Sequence, residues 1–309
     1  MHDMSLSDEN LIIDCPILSN AAPVVVGGVG GSGTRVIAQL LQSLDFDMGS
    51  DLNESLDDLS FTALFKRPSL WPIQQHLSQL KAALDVYLAS RGHKSTSWIS
   101  QAHQNARVAE LLKSTRQKDE WIETGDLSDR EQFLTTANQP KPLWGWKEPN
   151  AHIVLPFLMA ALPNMKYIHV TRHGLDMAHS NNQTQMKIWG PHLLGRAVDI
   201  DSSTDSLAFW CNSHRRILEL RKQFFNRLLV LPFESLFSNV DSTLTQLCEF
   251  LEIPETFHSA TIAAADLRRP QSLGRYRHHF PISLSSAERE ILRRLNYTIE
   301  GYDCEQHRQ

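Results

Sequence analysis

The sequence predicts an α/β protein: a parallel sheet wrapped by helices in three layers, with a helical insertion around 70–140. Three observations predict it. A β-branched run, Val24-Val25-Val26, breaks into glycines and hydroxyls from Gly27 to Thr34 and resumes with helical spacing in Arg35-Val36-Ile37-Ala38-Gln39-Leu40-Leu41. From Leu70 to about Gln139 the chain is polar-rich and helical in pattern. After Trp144 short apolar runs alternate with helix-length segments, the rhythm of strands crossing over through helices into a parallel sheet.

The elements follow in order. Residues 1–22 are polar and read as a loose N-terminal leader, leaving 23–309 as a single domain. A strand over 24–27 leads through the glycine loop into a helix over 33–44. Leu52 to Phe61 begins with Asn53-Glu54, residues suited to capping a short helix. Pro72 opens a helix from Ile73 to Ala89, with Leu77, Leu80, Leu84, Tyr87 and Leu88 on one face, and a helix from Trp98 to Lys113 follows. This insertion either contributes to an acceptor pocket or forms an outer layer. A strand then ends at Lys147, a helix runs from Ala151 to Leu162, and Pro163-Asn164 makes the turn. Pro156 marks a bend or a late start in that helix. A strand over 167–171, helices over 175–187 and 205–225, a strand over 228–232 and a helix from Val240 to Leu251 complete the pattern.

Bulk properties narrow the function. A chain of 309 residues can bury a substantial core. Its net charge of −5 argues against a nucleic-acid or anionic-membrane surface. Cys15, Cys211, Cys248 and Cys304 show no paired spacing and read as reduced, structural thiols. The first twenty residues hold Asp3, Asp8, Glu9 and Asp14 and no long apolar core, and no run approaches a membrane span. The expectation is cytoplasmic. His169, His173 and His179 do not make metal-ligand spacing and read as packing histidines.

Strand, Gly-rich loop and helix together form a phosphate cradle, because successive backbone N–H groups and the helix N-terminus all point at one anion. Gly30, Gly31, Ser32, Gly33, Thr34 and Arg35 are its residues. The spacing from Gly28 to Gly33 fits the P-loop, but Thr34 and Arg35 follow where an NTP-binding loop carries Lys and Ser/Thr. Arg172 stands at the end of the 167–171 strand, where a nucleotide triphosphatase carries its Mg²⁺-binding aspartate. A cation there binds an anion directly. Ser180 lies eight residues on, about two helical turns into the next helix.

Arg at a strand end with Ser two turns along the following helix resembles the PAPS-dependent sulfotransferases, in which that pair grips the 3′-phosphate of 3′-phosphoadenosine 5′-phosphosulfate (PAPS). The resemblance runs from about Pro23 to Phe280. It is closer to bacterial members and to the carbohydrate and tyrosylprotein branches than to the steroid and phenol enzymes. Trp144-Gly145-Trp146-Lys147-Glu148-Pro149 resembles a family strand ending in a lysine that faces the phosphosulfate. Leu228 to Leu236 resembles the strand and turn that follow, with Phe233 in place of a tyrosine, and Ser272-Leu273-Gly274-Arg275 resembles the late loop that folds over the 3′-phosphate. Where many members carry Arg or Lys before Ser-Gly-Thr, this chain has Gly31, so charge against the phosphosulfate falls to Arg35, Lys147 or both.

The resemblance implies transfer of a sulfuryl group from PAPS, without a metal, to a hydroxyl or amine of a small-molecule or carbohydrate acceptor. It implies cofactor contacts from the glycine loop, Arg172, Ser180, Phe233, Ser272, Gly274 and Arg275. It places Glu54 as the base, about where glycan and tyrosylprotein enzymes keep a glutamate, with Asp57 one helical turn away in reserve. His173 falls to the 3′-phosphate wall. Trp71, Trp98, Trp189 and Trp210 offer rings for stacking on an acceptor. The rival readings are a P-loop kinase or NTPase, supported by the loop spacing, and a non-catalytic PAPS-binding protein, left open by Gly31 and Phe233.

Overall fold

The computed structural model describes residues 11–94, 100–123, 125–136, 138–253, 267–279 and 281–299. Its centre is a four-stranded parallel sheet: β1 (Val24–Gly28), β2 (Gly145–Lys147), β3 (Lys166–Thr171) and β4 (Leu228–Pro232), in the order β2-β1-β3-β4. Strand β1 is buried along its whole length, as its continuous apolar run requires between two helical layers. Val26 lies opposite Lys147 of β2 and Ile168 of β3, and Thr171 lies opposite Pro232 of β4.

The two faces are filled by different helices. On one, α1 (Thr34–Ser43) and the later helices α10 (Ser235–Ser238) and α11 (Val240–Leu251) pack on Val24, Val26, Ile168 and Leu231. On the other, Val25, Trp146 and Tyr167 meet α6 (Ala151–Ala161) and the insertion helices. These are α3 (Leu77–Ser90), α4 (Gln101–Gln117) and α5 (Asp129–Thr135), with α2 (Leu59–Phe65) just before the insertion packing among them. A third cluster joins α7 (Gly174–Ala178), α8 (Thr184–Leu194), α9 (Ser203–Gln223) and α12 (Ser286–Arg294) around Trp210. No helix among the described residues is long and apolar enough to cross a membrane. None of Cys15, Cys211 and Cys248 is in a disulfide, and Cys304 lies outside the described residues.

Several local expectations are corrected. The segment over 175–187 is two helices: α7 stops at Ala178 and α8 starts at Thr184. Ser180 and Asn182 divert the backbone, since the Ser180 hydroxyl accepts from the Asn182 N–H and the Asn182 side-chain oxygen accepts from the Thr184 N–H. Ser180 therefore sits in a loop, not two turns along a helix. Asn53 starts a turn, not a helix: its side-chain oxygen accepts from the N–H groups of Ser55 and Asp57, and Asp58 caps α2 instead. Glu54 and Asp57 are thus not one helical turn apart. Ile73–Gln75 is a single 3₁₀ turn that precedes α3. The helix read from Trp98 runs over Gln101–Gln117, and Trp98 lies outside the described residues. Helix α6 starts at Ala151 and passes through Pro156, so that proline does not mark a late start. The polar leader is anchored from Ile13 onward: Ile13 and Leu18 are buried in the core, and the Leu18 N–H donates to the Ala161 carbonyl.

The insertion is docked by buried ion pairs. Arg67 Nε donates to Glu120 Oε2 at 2.9 Å, and the other Glu120 oxygen accepts from the Ser69 N–H. Arg67 is 3% exposed, so removing Glu120 would leave its charge in a low dielectric. Glu120→Ala should lower unfolding stability by about 3–5 kcal/mol. The pair Arg67→Met with Glu120→Leu should lose less, as read by urea denaturation.

Candidate active site

The site lies along the carboxyl edge of the sheet, where the topology puts the glycine loop between two charged clusters. Residues Val29–Gly33 join β1 to α1, with the Ser32 N–H bonded to the Val29 carbonyl. Gly33 has φ +97°, and a Cβ there would stand 2.2 Å from the Phe233 ring, so only glycine fits both the turn and the packing. Ser32 is buried, and its hydroxyl has no hydrogen-bond partner. Thr34 is buried as well, whereas Arg35 is exposed on the first turn of α1. The Ser180 hydroxyl comes within 3.9 Å of where a Gly31 Cβ would be, so the break between α7 and α8 delivers Ser180 to the loop. Gln185, at the start of α8, donates to the Gly28 carbonyl and holds that segment against the loop.

On the β3 side, Arg172 is 4% exposed. Its Nη2 donates to the Ser272 carbonyl and lies 3.4 Å from Asp176 Oδ2, while its Nε has no hydrogen-bond partner. Arg275 donates to the same Ser272 carbonyl and to the His179 carbonyl. Burial pulls the Arg275 pKa down, and the nearby Arg172 charge pulls it further. Arg172, Ser272, Gly274 and Arg275 are therefore together as the sequence predicts. The remaining basic residues of that stretch, Arg268, Arg269, Arg277, His278 and His279, are exposed.

His173 is not part of an anion wall. Its Nδ1 accepts from the Leu175 N–H and its Nε2 faces the Thr298 carbonyl, so both ring nitrogens are used and the ring caps α7. Burial lowers its pKa, which keeps it neutral. Phe233 is buried under Gly33, and its ring packs edge-on against Phe237. Beside Ser180, a cavity of about 530 Å³ is bounded by His179, Asn181, Lys187, Ser202 and His279, a volume in the range of small-ligand pockets.

On the β2 side, Lys147 is 2% exposed and its Nζ donates to Asp57 Oδ1 and to the Ser55 carbonyl. Asn53 Nδ2 holds the second Asp57 oxygen at 3.1 Å. The structure thus ties Lys147 to Asp57, while Glu54 is exposed on the outside of the same turn. Next along the chain, Glu148 is buried, with Oε1 accepting from Asn150 and Oε2 without a partner. Burial pushes its pKa up to about 7, against the lowering effect of Lys66 and Lys147. Asn150 accepts in turn from the Trp189 indole N–H at 2.9 Å. Trp71 and Trp189 each lie 6.2 Å from the exposed His192 ring, but Trp189 and Trp210 are both buried in the core and offer no stacking surface.

Three acidic residues of the site carry no assigned role from the sequence: Asp176, Glu148 and Glu234. Glu234 accepts from the His173 N–H and the Tyr297 hydroxyl, and burial raises its pKa. Each had a positional signal, one turn from Arg172, next to Lys147, or just after Phe233.

The sequence profile of the sulfotransferase family matches residues 23–258, most of the chain and every element from β1 to α11. The chain belongs to the sulfotransferase family. Among solved structures, it is similar to the sulfotransferase domain of the Synechococcus PCC 7002 olefin synthase, at 16% identity and TM-score 0.48, covering 93% of this chain and 98% of that one. The sulfotransferase domain from the curacin biosynthetic pathway follows at 18% identity and TM-score 0.46, covering 91% of this chain and 99% of that one. Sulfotransferase STF9 from Mycobacterium avium follows at 13% and 0.44, covering 93% and 78%. A search of curated proteins returned no match.

The buried Glu148 gives this sulfotransferase a pH signature. Between the ordinary glutamate range and about 7, the unfolded chain has released a proton that the folded state keeps. The native state then binds more protons, and stability falls as pH rises through that window. Glu148→Gln removes this fall. Relative to wild type, it should gain stability from about pH 5 to about pH 8, as read by urea midpoints at the two values.

Proposed function

We propose that the chain transfers a sulfuryl group from PAPS to a hydroxyl or amine of a small-molecule or carbohydrate acceptor, without a divalent ion. One observation carries this reading: Arg172 and Arg275 both donate to the Ser272 carbonyl. Two buried or half-buried guanidiniums sharing one neutral oxygen form a site that favours an anion of higher charge. The buried, partnerless Ser32 hydroxyl and Arg172 Nε are donors that phosphate oxygens would satisfy, so the residues present fit a nucleotide with two separate anionic groups.

The chemistry assigns complementary roles. The acceptor oxygen or nitrogen attacks sulfur, the bond from sulfur to the bridging phosphate oxygen breaks, and adenosine 3′,5′-bisphosphate leaves. Lys147 supplies positive charge to that bridging oxygen, and the glycine loop supplies backbone N–H groups. Asp57 takes the acceptor proton, because it faces Lys147 whereas Glu54 faces solvent. As Lys147 turns to the donor, the Asp57 carboxylate loses its cation and is released for that proton. Arg35 lies exposed at the start of α1, within a turn of the loop, and adds long-range positive charge.

The kinase reading is disfavoured by the missing loop lysine and by Arg172 in place of a metal-binding carboxylate. A purely binding protein has no need of a lysine and a carboxylate paired at a buried strand end.

The wild type should bind adenosine 3′,5′-bisphosphate much better than AMP, and Arg172→Ala should remove most of that preference, about tenfold or more per lost contact. Calorimetry with EDTA present tests both points. Equal wild-type affinities, or nucleotide binding that needs Mg²⁺, would overturn the donor assignment.

Lys147→Ala should cut turnover by about 10²–10³. Asp57→Asn should cut it by about 10²–10⁴ and leave nucleotide affinity intact. Glu54→Gln should stay near wild type. Single-turnover assays across pH check this, and a large loss in Glu54→Gln with none in Asp57→Asn would return the base to Glu54.

A further inference from the structure

Asp176 is 1% exposed and sits in the first turn of α7, four residues after Arg172. A carboxylate in a helix's first turn ordinarily serves its own helix. This one does not: Oδ2 accepts from the Gly274 N–H at 2.8 Å, and Oδ1 accepts from the Tyr276 N–H at 3.2 Å. Both partners lie about a hundred residues away in sequence, in the late loop. Its approach to Arg172 Nη2 is long, 3.4 Å, and leaves that guanidinium with donors to spare.

The bonds to Gly274 and Tyr276 bracket Arg275. Gly274 has φ +79°, in the left-handed region, and starts the 3₁₀ turn Arg275–His278. Pinning the N–H groups on either side fixes where the Arg275 side chain leaves the backbone. From there it reaches the Ser272 carbonyl and the His179 carbonyl, beside Arg172. Without the carboxylate, two like charges would meet with only neutral carbonyls between them, and repulsion would open the loop.

We propose that Asp176 is a positioning residue that builds the anion site from a distance. Its carboxylate clamps the 272–277 loop by two backbone N–H bonds, so that Arg172 and Arg275 converge on one phosphate. Asp176 itself touches no ligand. The inference rests on the donor reading above, and it assigns selectivity for the 3′-phosphate to a buried acid as well as to the two arginines.

The test uses the full chain and calorimetric titration with adenosine 3′,5′-bisphosphate and with AMP, for wild type, Asp176→Asn and Gly274→Ala. Asp176→Asn keeps the shape but replaces one acceptor oxygen with a donor and removes the charge. It should weaken adenosine 3′,5′-bisphosphate binding by at least about tenfold and leave AMP affinity within about twofold. Gly274→Ala disturbs the same loop from its other side and should repeat the selective loss. Unfolding midpoints establish that each variant is folded, and if Asp176→Asn is not, Gly274→Ala decides. A folded Asp176→Asn that keeps the wild-type preference would overturn the inference, as would equal losses for both nucleotides, which mark a general structural role. A wild type that shows no preference would instead remove the donor reading, and this inference with it.

Discussion

Strand β1 is hydrogen-bonded to β2 along one edge and to β3 along the other, and both pairings are parallel. Their registers agree, with Val26 level with Lys147 on one side and with Ile168 on the other. Alternation across the pleat holds them there. Val25, Trp146 and Tyr167 are buried among the insertion helices, whereas Val24, Val26 and Ile168 are buried against α1 and α11. A slip of one residue in either neighbour would turn its buried side chains to the opposite layer. The register that results sets Lys147 at the end of β2, level with Ile168 of β3, and Arg172 four residues further along, with the uncharged loop between them.

That arrangement gathers charge at a dry edge, and the surrounding residues show how it is held. Lys147 has Asp57, Arg67 has Glu120, and Arg130 has Asp51. Asp58 receives the Phe61 N–H, the Tyr87 hydroxyl and Arg91, yet burial still raises its pKa to about 6. Glu148 follows a different course, with a single Asn150 donor and a pKa pushed to about 7. The difference matters beside Lys147. A fully ionised Glu148 would compete with Asp57 for the Lys147 ammonium, and a carboxyl pushed up to about 7 competes less near neutrality. His152 and His214, lowered by burial to about 3 and about 4, likewise stay neutral behind the loop.

The strands, the loop and the cations at the strand ends were legible because each leaves a local mark. A β-branched run stops at glycine, and a charge interrupts an apolar stretch at Lys147 or Arg172. The helix over Val240–Leu251 lies where its apolar spacing predicts it. Spacing singles out Ser180 but says nothing of the loop that carries it. A helical period across 175–187 says nothing of the Ser180 and Asn182 side chains that capture the backbone. Position along the chain favours Glu54 over Asp57, and only the fold shows that Asn53 curls the turn so that Asp57 meets Lys147. Asp176 left the faintest mark, since bonds to backbone a hundred residues away have no period to read.

The Gly31 departure acquires a physical sense from this geometry. A cation at the exposed Gly31 position would add a third positive charge between the Lys147 and Arg172 poles and repel both. With glycine there, the middle of the site offers only backbone N–H groups and the Ser32 hydroxyl, which bind phosphate oxygens without adding charge. On the proposed reading the two poles act separately, one gripping a phosphate that takes no part in bond breaking and the other meeting charge that develops as a bond breaks. On the proposed reading, the donor is oriented by that separation, and the acceptor must approach from the β2 side. There Asp57 lies against Lys147, so the same reading assigns the acceptor to the β2 end of the site and the donor to the glycine loop and the β3 end.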